Sequence, residues 1–182
     1  MRRMTFEMAF SFNESYRGTP PWDIGKPQPE FVKIAQNGEI RGSLLDIGCG
    51  TGENALYFSG LNLEVLGLDS APRAIEKAKR KATQRGSQAE FNVGDALHLE
   101  DLKRKFDTIT DCGLFHIFSD RERRVFEKSL RATLKGSGTY FMLCFSDKEP
   151  ADWGGPRRVS AEEIEATFDP GWRINYIRDA WF

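Results

Sequence analysis

The stretch Leu44-Leu45-Asp46-Ile47-Gly48-Cys49-Gly50-Thr51-Gly52 decides the fold. A short apolar run ends there in three alternating glycines and passes into helical spacing, the pattern of a strand that delivers its backbone to a small ligand. Glycine permits positive φ and lacks the Cβ that would hold a ligand at a distance. A dinucleotide site reads G-x-G-x-x-G, whereas these glycines fall as G-x-G-x-G with Glu53 next. Asp46, two residues before the first glycine, suits the ammonium group of an amino acid, for which a pyrophosphate loop has no use. Both departures point away from NAD.

The chain has 182 residues, enough for one compact domain. Hydrophobic residues make up 40% and aromatics 12%, sufficient for a core, and the formal net charge of -1 gives no overall pull toward nucleic acid or an anionic membrane. No apolar run approaches the roughly 20 residues of a membrane span. Met1 to Phe10 lacks the apolar core of a leader, so the expected compartment is cytoplasmic. Cys49, Cys112 and Cys144 are widely spaced without C-x-x-C, which supports neither a disulfide framework nor a zinc site.

Outward from the loop, Glu53–Ser59 reads as a helix stopped by Gly60, and Glu64–Leu68 as a strand ending at Asp69. Asp69 stands 21 positions after Gly48, close to the roughly 20-residue offset at which a strand-end carboxylate reaches the ribose hydroxyls of a nucleoside. The plain alternative is an acidic helix cap. Ala71–Arg85 is a helix with an alanine-rich face and a basic face of Arg73, Lys77, Lys79, Arg80, Lys81 and Arg85, read as solvated in preference to RNA-binding. Glu90–Val93 is a third strand, after which Asp95 is placed to accept from an adenine amino group while Ala96 offers its N–H to the ring. Phe106–Asp111 is the fourth strand and leads into Cys112-Gly113-Leu114-Phe115-His116.

Ser119 with Glu122 and Ser160 with Glu163 have the spacing of capping boxes that open two helices, the first running through Leu134 to Gly136. Thr139–Phe145 is a fifth strand and Trp172–Phe182 a last one. Before the glycine loop, a short helix ends near Gly18, a proline-rich passage surrounds Trp22, and Phe31, Ile34 and Ala35 mark a helix from Pro29 to Gly38. The passage is either a linker pinned to the core by Trp22 or a cover over the ligand. Strand and helix alternate, so an open parallel sheet with helices on both faces is expected, with ligands beyond the carboxyl ends of the strands.

Asp46-Ile47-Gly48-Cys49-Gly50-Thr51-Gly52 resembles motif I of the class I S-adenosylmethionine-dependent methyltransferases. Residues 16–29, Asp111-Cys112-Gly113-Leu114-Phe115-His116 and 155–160 are similar to small prokaryotic enzymes of the thiopurine methyltransferase-like group, whose members methylate thiols and heterocyclic toxicants. The resemblance covers nearly the whole chain. It implies a Rossmann-like doubly wound sheet in one domain, 1–182, with residues 1–38 as a cap. The implied cofactor is S-adenosylmethionine, with S-adenosylhomocysteine as product, and the partner is a small methyl acceptor.

On this reading Trp22, Gln28, Asp46, Gly48, Cys49, Gly50, Asp69, Ser70, Asp95, Ala96 and Asp111 form the cofactor site. Asp111 and His116 are the candidate proton acceptors. Phe10, Tyr16, Phe115, His116 and Trp153 are candidates for the acceptor slot, and the aromatics equally suit the core. Class I sheets usually end in a sixth and an antiparallel seventh strand. Nothing remains after Trp181-Phe182 to form the seventh, so the sheet is expected to be one strand short, in a monomer or a homodimer joined at its exposed edge. The alternatives are an RNA or protein methyltransferase and a non-catalytic S-adenosylmethionine-binding protein.

Overall fold

In the computed structural model, which describes residues 12–150 and 156–182, the quoted stretch opens with strand β1 (Leu44–Ile47), buried throughout. Its side chains alternate between two apolar layers. Leu45 and Ile47 join Leu66, Ile109, Phe126 and Phe168 on one side of the sheet, while Leu44 joins Phe31, Phe58, Ile75 and Phe91 on the other. A strand sandwiched in this way has no polar face, which is why its sequence is a continuous apolar run broken only by Asp46.

The remaining strands are β2 (Val65–Asp69), β3 (Glu90–Val93), β4 (Phe106–Cys112) and β5 (Leu134–Leu143), in the order β3-β2-β1-β4-β5. All pairings are parallel. Helices α1 (Pro29–Gln36), α2 (Glu53–Ser59) and α3 (Pro72–Arg85) cover the face that holds Leu44, and α4 (Asp120–Thr133) and α5 (Ala161–Phe168) cover the other. Both expected capping boxes form: the Ser119 and Ser160 hydroxyls accept from the Glu122 and Glu163 amides, and the glutamates accept in return. Such caps stabilise a helix start by roughly 0.5–2 kcal/mol.

Three expectations change. Helix α4 stops at Thr133, and Leu134 turns extended (ψ 140°) to pair with Phe106 as the first residue of β5, so Gly136 lies within the strand and closes no helix. Ala96–Leu102, with no element expected, is a 3-10 turn bound to α4 through Ser129, whose hydroxyl accepts from the Leu99 amide and donates to the Ala96 carbonyl. Residues 172–182 form no strand. Side chains hold them instead: Trp172 Nε1 donates to Glu127 (2.6 Å), Tyr176 Oη to Glu39 (3.0 Å), and Arg178 pairs with Glu30 (3.2 Å). The sheet therefore has five strands among the described residues, and β5 is paired on one side only.

Candidate active site

Strand order reverses at β1, whose successor β2 lies on one side and β4 on the other, and a crevice opens beyond the carboxyl ends at such a point. A cavity of about 590 Å³ occupies it, within the range of sites for a complete small ligand. Its wall includes Gly48, Cys49 and Gly50 after β1, Asp69 and Ser70 after β2, Ala96 after β3, and Leu114 and His116 after β4.

Gly50 has φ +54°, and a Cβ there would stand 2.9 Å from Tyr16 Oη, so glycine lets residue 16 close on the loop. Asp69 clamps the same loop: its Oδ2 accepts from the Gly50 amide (2.8 Å) and its Oδ1 from the Ala71 amide (2.8 Å). The surrounding protein pushes its pKa up, while the amides of Ala71, Gly50 and Ser70 pull the other way. A carboxylate in the wall with both oxygens oriented by backbone is a fixed acceptor. Cys49 and Cys112 also face the cavity, and burial pushes both thiols up, so they stay protonated.

The proline-rich passage closes the other side. Trp22 is 50% exposed and stands in the cavity wall, so it does not pin a linker to the core. Its Nε1 donates to Tyr16 Oη (3.0 Å), and its ring meets those of Tyr16 and Phe12 edge-on. Thr51 Oγ1 donates to Asp23 (2.9 Å) and accepts from Lys81 Nζ (2.7 Å), which also donates to Glu53 (2.8 Å). The Gln28 backbone N–H donates to Asn54 Oδ1 (2.8 Å), and the buried side-chain Oε1 of Gln28 has no partner. Arg73 pairs with Glu14 (2.7 Å) and Lys77 donates to the Gly18 carbonyl. Arg73, Lys77, Lys81 and Arg85 on the basic face of α3 thus help to hold residues 13–23 and Glu53, while Lys79 and Arg80 are exposed as a solvated face requires.

Three of the expected acids lie outside the wall. Asp46 is buried beneath the glycine loop, where Oδ1 accepts from Thr110 (2.8 Å) and Oδ2 has no partner at hydrogen-bond geometry. Burial, and secondarily nearby Asp111, raise its pKa to about 7 against the pull of Thr110. Asp95 caps the 3-10 turn, with Oδ1 held by the Leu97 amide (2.9 Å). Asp111 is fully buried and accepts from the Leu114 amide (2.7 Å), the Phe115 amide (3.0 Å) and Tyr140 Oη (2.8 Å). Burial raises it too to about 7, yet it takes no part as a base: it is sealed off, and its oxygens fold its own loop.

Phe115 is likewise corrected. It is wholly buried among Phe126 and Phe168 under the Arg123 guanidinium, and it does not face the cavity. The next residue does. His116 lies in the wall and stacks on Phe145 (5.0 Å, 22°). Tyr16 stands in the wall as expected, whereas Phe10 and Trp153 fall outside the described residues. Sequence reasoning missed Asp23, Thr51, Asn54, Phe145 and Phe182. Thr51 and Asn54 flank Gly52 and were within reach of a motif reading, but Phe145 and Phe182 come from distant chain and carry no local signal. The site as a whole offers fixed acceptors at the glycine loop and mostly apolar walls beyond.

The model for methyltransferase domains matches residues 44–138. The 2-heptyl-1-hydroxyquinolin-4(1H)-one methyltransferase of Mycobacteroides abscessus is 34% identical over 187 aligned positions, covering 97% of this chain and 82% of its own. A probable thiol methyltransferase of Arabidopsis thaliana is 29% identical over 84% of this chain and 68% of its own. A structure solved for the conversion of a disulfide bond into a thioacetal group during echinomycin biosynthesis superposes with a TM-score of 0.87 at 36% identity, covering 95% of this chain and 82% of that one. With the parallel sheet and the crevice at its switch point, these matches establish that the chain belongs to the class I S-adenosylmethionine-dependent methyltransferases.

Proposed function

We propose that this enzyme methylates a sulfur, nitrogen or oxygen nucleophile on a small apolar or heteroaromatic molecule. The observation that carries the reading is the 590 Å³ cavity whose polar anchors cluster at the glycine loop while Leu114, Ile117, Phe145 and Phe182 line the remainder. A polynucleotide or protein acceptor needs an open surface, and here residues 12–28 cover the site. The named acceptors of the relatives point the same way, being a hydroxyquinolone and a thiol.

The residues fit the cofactor. S-adenosylmethionine brings an ammonium group, two ribose hydroxyls and an adenine amino group, all donors, and the site holds acceptors to match. Gln28 Oε1, in the cavity wall, is buried without a partner, a costly state that a ligand donor relieves. Asp69 takes the ribose, Ser70 and Ala96 flank the base, Trp22 and Tyr16 cover it, and Gly48, Cys49 and Gly50 bring backbone close. When bound, the cofactor supplies a methyl carbon made electrophilic by a sulfonium. The chain's own work is to align an acceptor with it and exclude water, and positioning of this kind is worth about 7–11 kcal/mol of barrier.

The test is turnover with S-adenosylmethionine on an aryl thiol and on a 1-hydroxyquinolin-4-one, read by mass of the product. Methylation of either supports the reading, and S-adenosylhomocysteine binding with no turnover on both overturns it. In parallel, Asp69→Asn should weaken S-adenosylhomocysteine binding by about tenfold or more, the loss of a hydrogen bond to a charged group. An unchanged dissociation constant removes the ribose assignment.

A further inference from the structure

Methyl transfer to a thiol or hydroxyl raises the question of where the acceptor's proton goes. The carboxylates in the cavity wall are Asp23, Glu53 and Asp69, and each is already held, by Thr51, by Lys81 and Arg85, and by the Gly50 and Ala71 amides. Asp111 is sealed beneath. His116 remains, and its surroundings fix what it can do.

The Phe145 amide donates to His116 Nδ1 (3.4 Å). A ring nitrogen that accepts is unprotonated, so the neutral ring carries its hydrogen on Nε2. Nε2 lies on the Gly113 side, 3.8 Å from where a Cβ of residue 113 would stand, and it has no hydrogen-bond partner among the described residues. A β-carbon at residue 113 would lie in van der Waals contact with this edge of the ring, and glycine leaves it bare. We infer that His116 meets the acceptor as a hydrogen-bond donor through Nε2–H, and so selects nucleophiles that arrive already ionised: thiolates and the oxyanions of N-hydroxy heteroaromatics.

Burial, and then the Arg123 guanidinium, lower the His116 pKa to about 4, so the ring stays a neutral donor across the working range. Arg123 is the charged group that bears on it. This arginine is 2% exposed, lies 4.4 Å over the Phe115 ring, pairs with Glu163 at 3.2 Å, and has Nε and Nη2 unpartnered. A buried cation whose field reaches a neutral donor favours an anion at that donor. The balance closes without a base. The acceptor's lone pair forms the bond to the methyl carbon as the carbon–sulfur bond of the sulfonium breaks, its electron pair staying on sulfur. One negative and one positive charge cancel and no proton is released. Mostly apolar walls suit a step in which charge disappears.

The inference rests on the methyl-transfer reading above, and a series of para-substituted thiophenols of graded acidity tests both. In the wild type, the inflection of kcat/KM with pH should follow each thiol's own pKa. His116→Phe should lower kcat/KM by about tenfold or more and weaken thiolate binding to the S-adenosylhomocysteine-loaded enzyme by a similar factor. His116→Gln, which keeps an N–H donor but cannot serve as a base, should recover most of both. S-adenosylhomocysteine affinity, read in the same titrations, reports that each variant is folded. An inflection that stays fixed across the series and vanishes in His116→Gln would make His116 the base and overturn the inference alone. Failure of the wild type to methylate any thiol while binding S-adenosylhomocysteine would overturn this acceptor class, and the inference with it.

Discussion

The loops after β1 and β4 sit side by side, and each rests on a buried aspartate. In the sheet register Asp46 pairs with Thr110, and Ile47 with Asp111. The two acids have the same side chain at nearly the same depth and do opposite things. Asp111 gathers three donors from its own loop and from β5, and nothing about it is left over. Asp46 has the Thr110 hydroxyl on one oxygen, while the other has no partner at hydrogen-bond geometry and only the Ala55 amide of α2 pulling on the carboxyl. A buried carboxyl oxygen without a partner is expensive in a chain that satisfies most of its polar groups. A completed acid builds its own loop, and an incomplete one lies beneath a loop that the rest of the chain shapes.

The largest effect that would break this comparison is the stability cost of removing each acid. Asp111→Ala leaves the Leu114 and Phe115 amides and the Tyr140 hydroxyl unpaired in the interior, at about 1–3 kcal/mol each. The expected loss is on the order of 4 kcal/mol, a large share of the roughly 5–15 kcal/mol that holds a domain together. Asp46→Ala unpairs Thr110 and takes a weaker acceptor from the Ala55 amide, and should cost about half as much. Urea midpoints at constant m-value measure both, and equal losses would show that the two acids share one structural role.

The same contrast explains what was legible in the sequence. The β1 loop is written in nine consecutive residues, because backbone conformation, close approach and strand end are local properties, and the Asp69 spacing follows from the length of one strand–helix–strand unit. The β4 loop is local too, but its sequence looks like chemistry. Asp111 followed by Gly113 and a 3-10 turn at Phe115–Ile117 is the pattern of an acid that bonds to amides three and four residues on. Phe115 and His116 are adjacent, and one turn sends the first into the core and the second into the cavity, which no periodicity over three residues can resolve. Leu134 was misplaced because its helical spacing continues that of α4, and only its pairing with Phe106 turns it into strand. The far wall, from Phe145 and Phe182, is a product of tertiary folding alone.

A smaller effect, on the order of 2–3 kcal/mol for each acid between pH 5 and pH 7, sharpens the comparison through pH. Asp46 and Asp111 both have folded pKa values raised to about 7, above the unfolded value near 3.9. Between these values the folded chain holds more protons than the unfolded one, so this contribution to stability is complete below pH 4 and is lost as pH rises through 7. His116, lowered to about 4, opposes the trend below pH 6.5, but one group acts against these two and against Asp69, which burial also raises. Stability should therefore fall from pH 5 to pH 7.5, and Asp46→Asn should make the fall shallower. A urea midpoint that rises over this interval in the wild type would rule out protonated acids under the loops.

The smallest effect concerns how the β1 loop is closed from above. Lys81 reaches from α3 to Thr51 and Glu53, and Thr51 in turn holds Asp23. Replacing it as Lys81→Met keeps the apolar stem and removes the ammonium. Glu53 retains both contacts from Arg85 (2.8 and 2.9 Å), and Thr51 still donates to Asp23. The global cost should therefore stay within about 1 kcal/mol, the usual worth of a partly exposed ion pair, or roughly 2–4 °C in Tm. The local consequence is larger than the global one, because the covering segment is tied to the body of the protein by few bonds, and loosening one raises the fraction of time it stands open. Trypsin cleavage after Arg17 or Lys26 should accelerate several-fold. Addition of S-adenosylhomocysteine should slow it again, since a ligand under the cover binds the closed form. Cleavage unchanged by the substitution would mean that the remaining ties, Arg73 to Glu14 and Lys77 to the Gly18 carbonyl from α3 and Thr51 to Asp23 from the loop, hold the cover without Lys81.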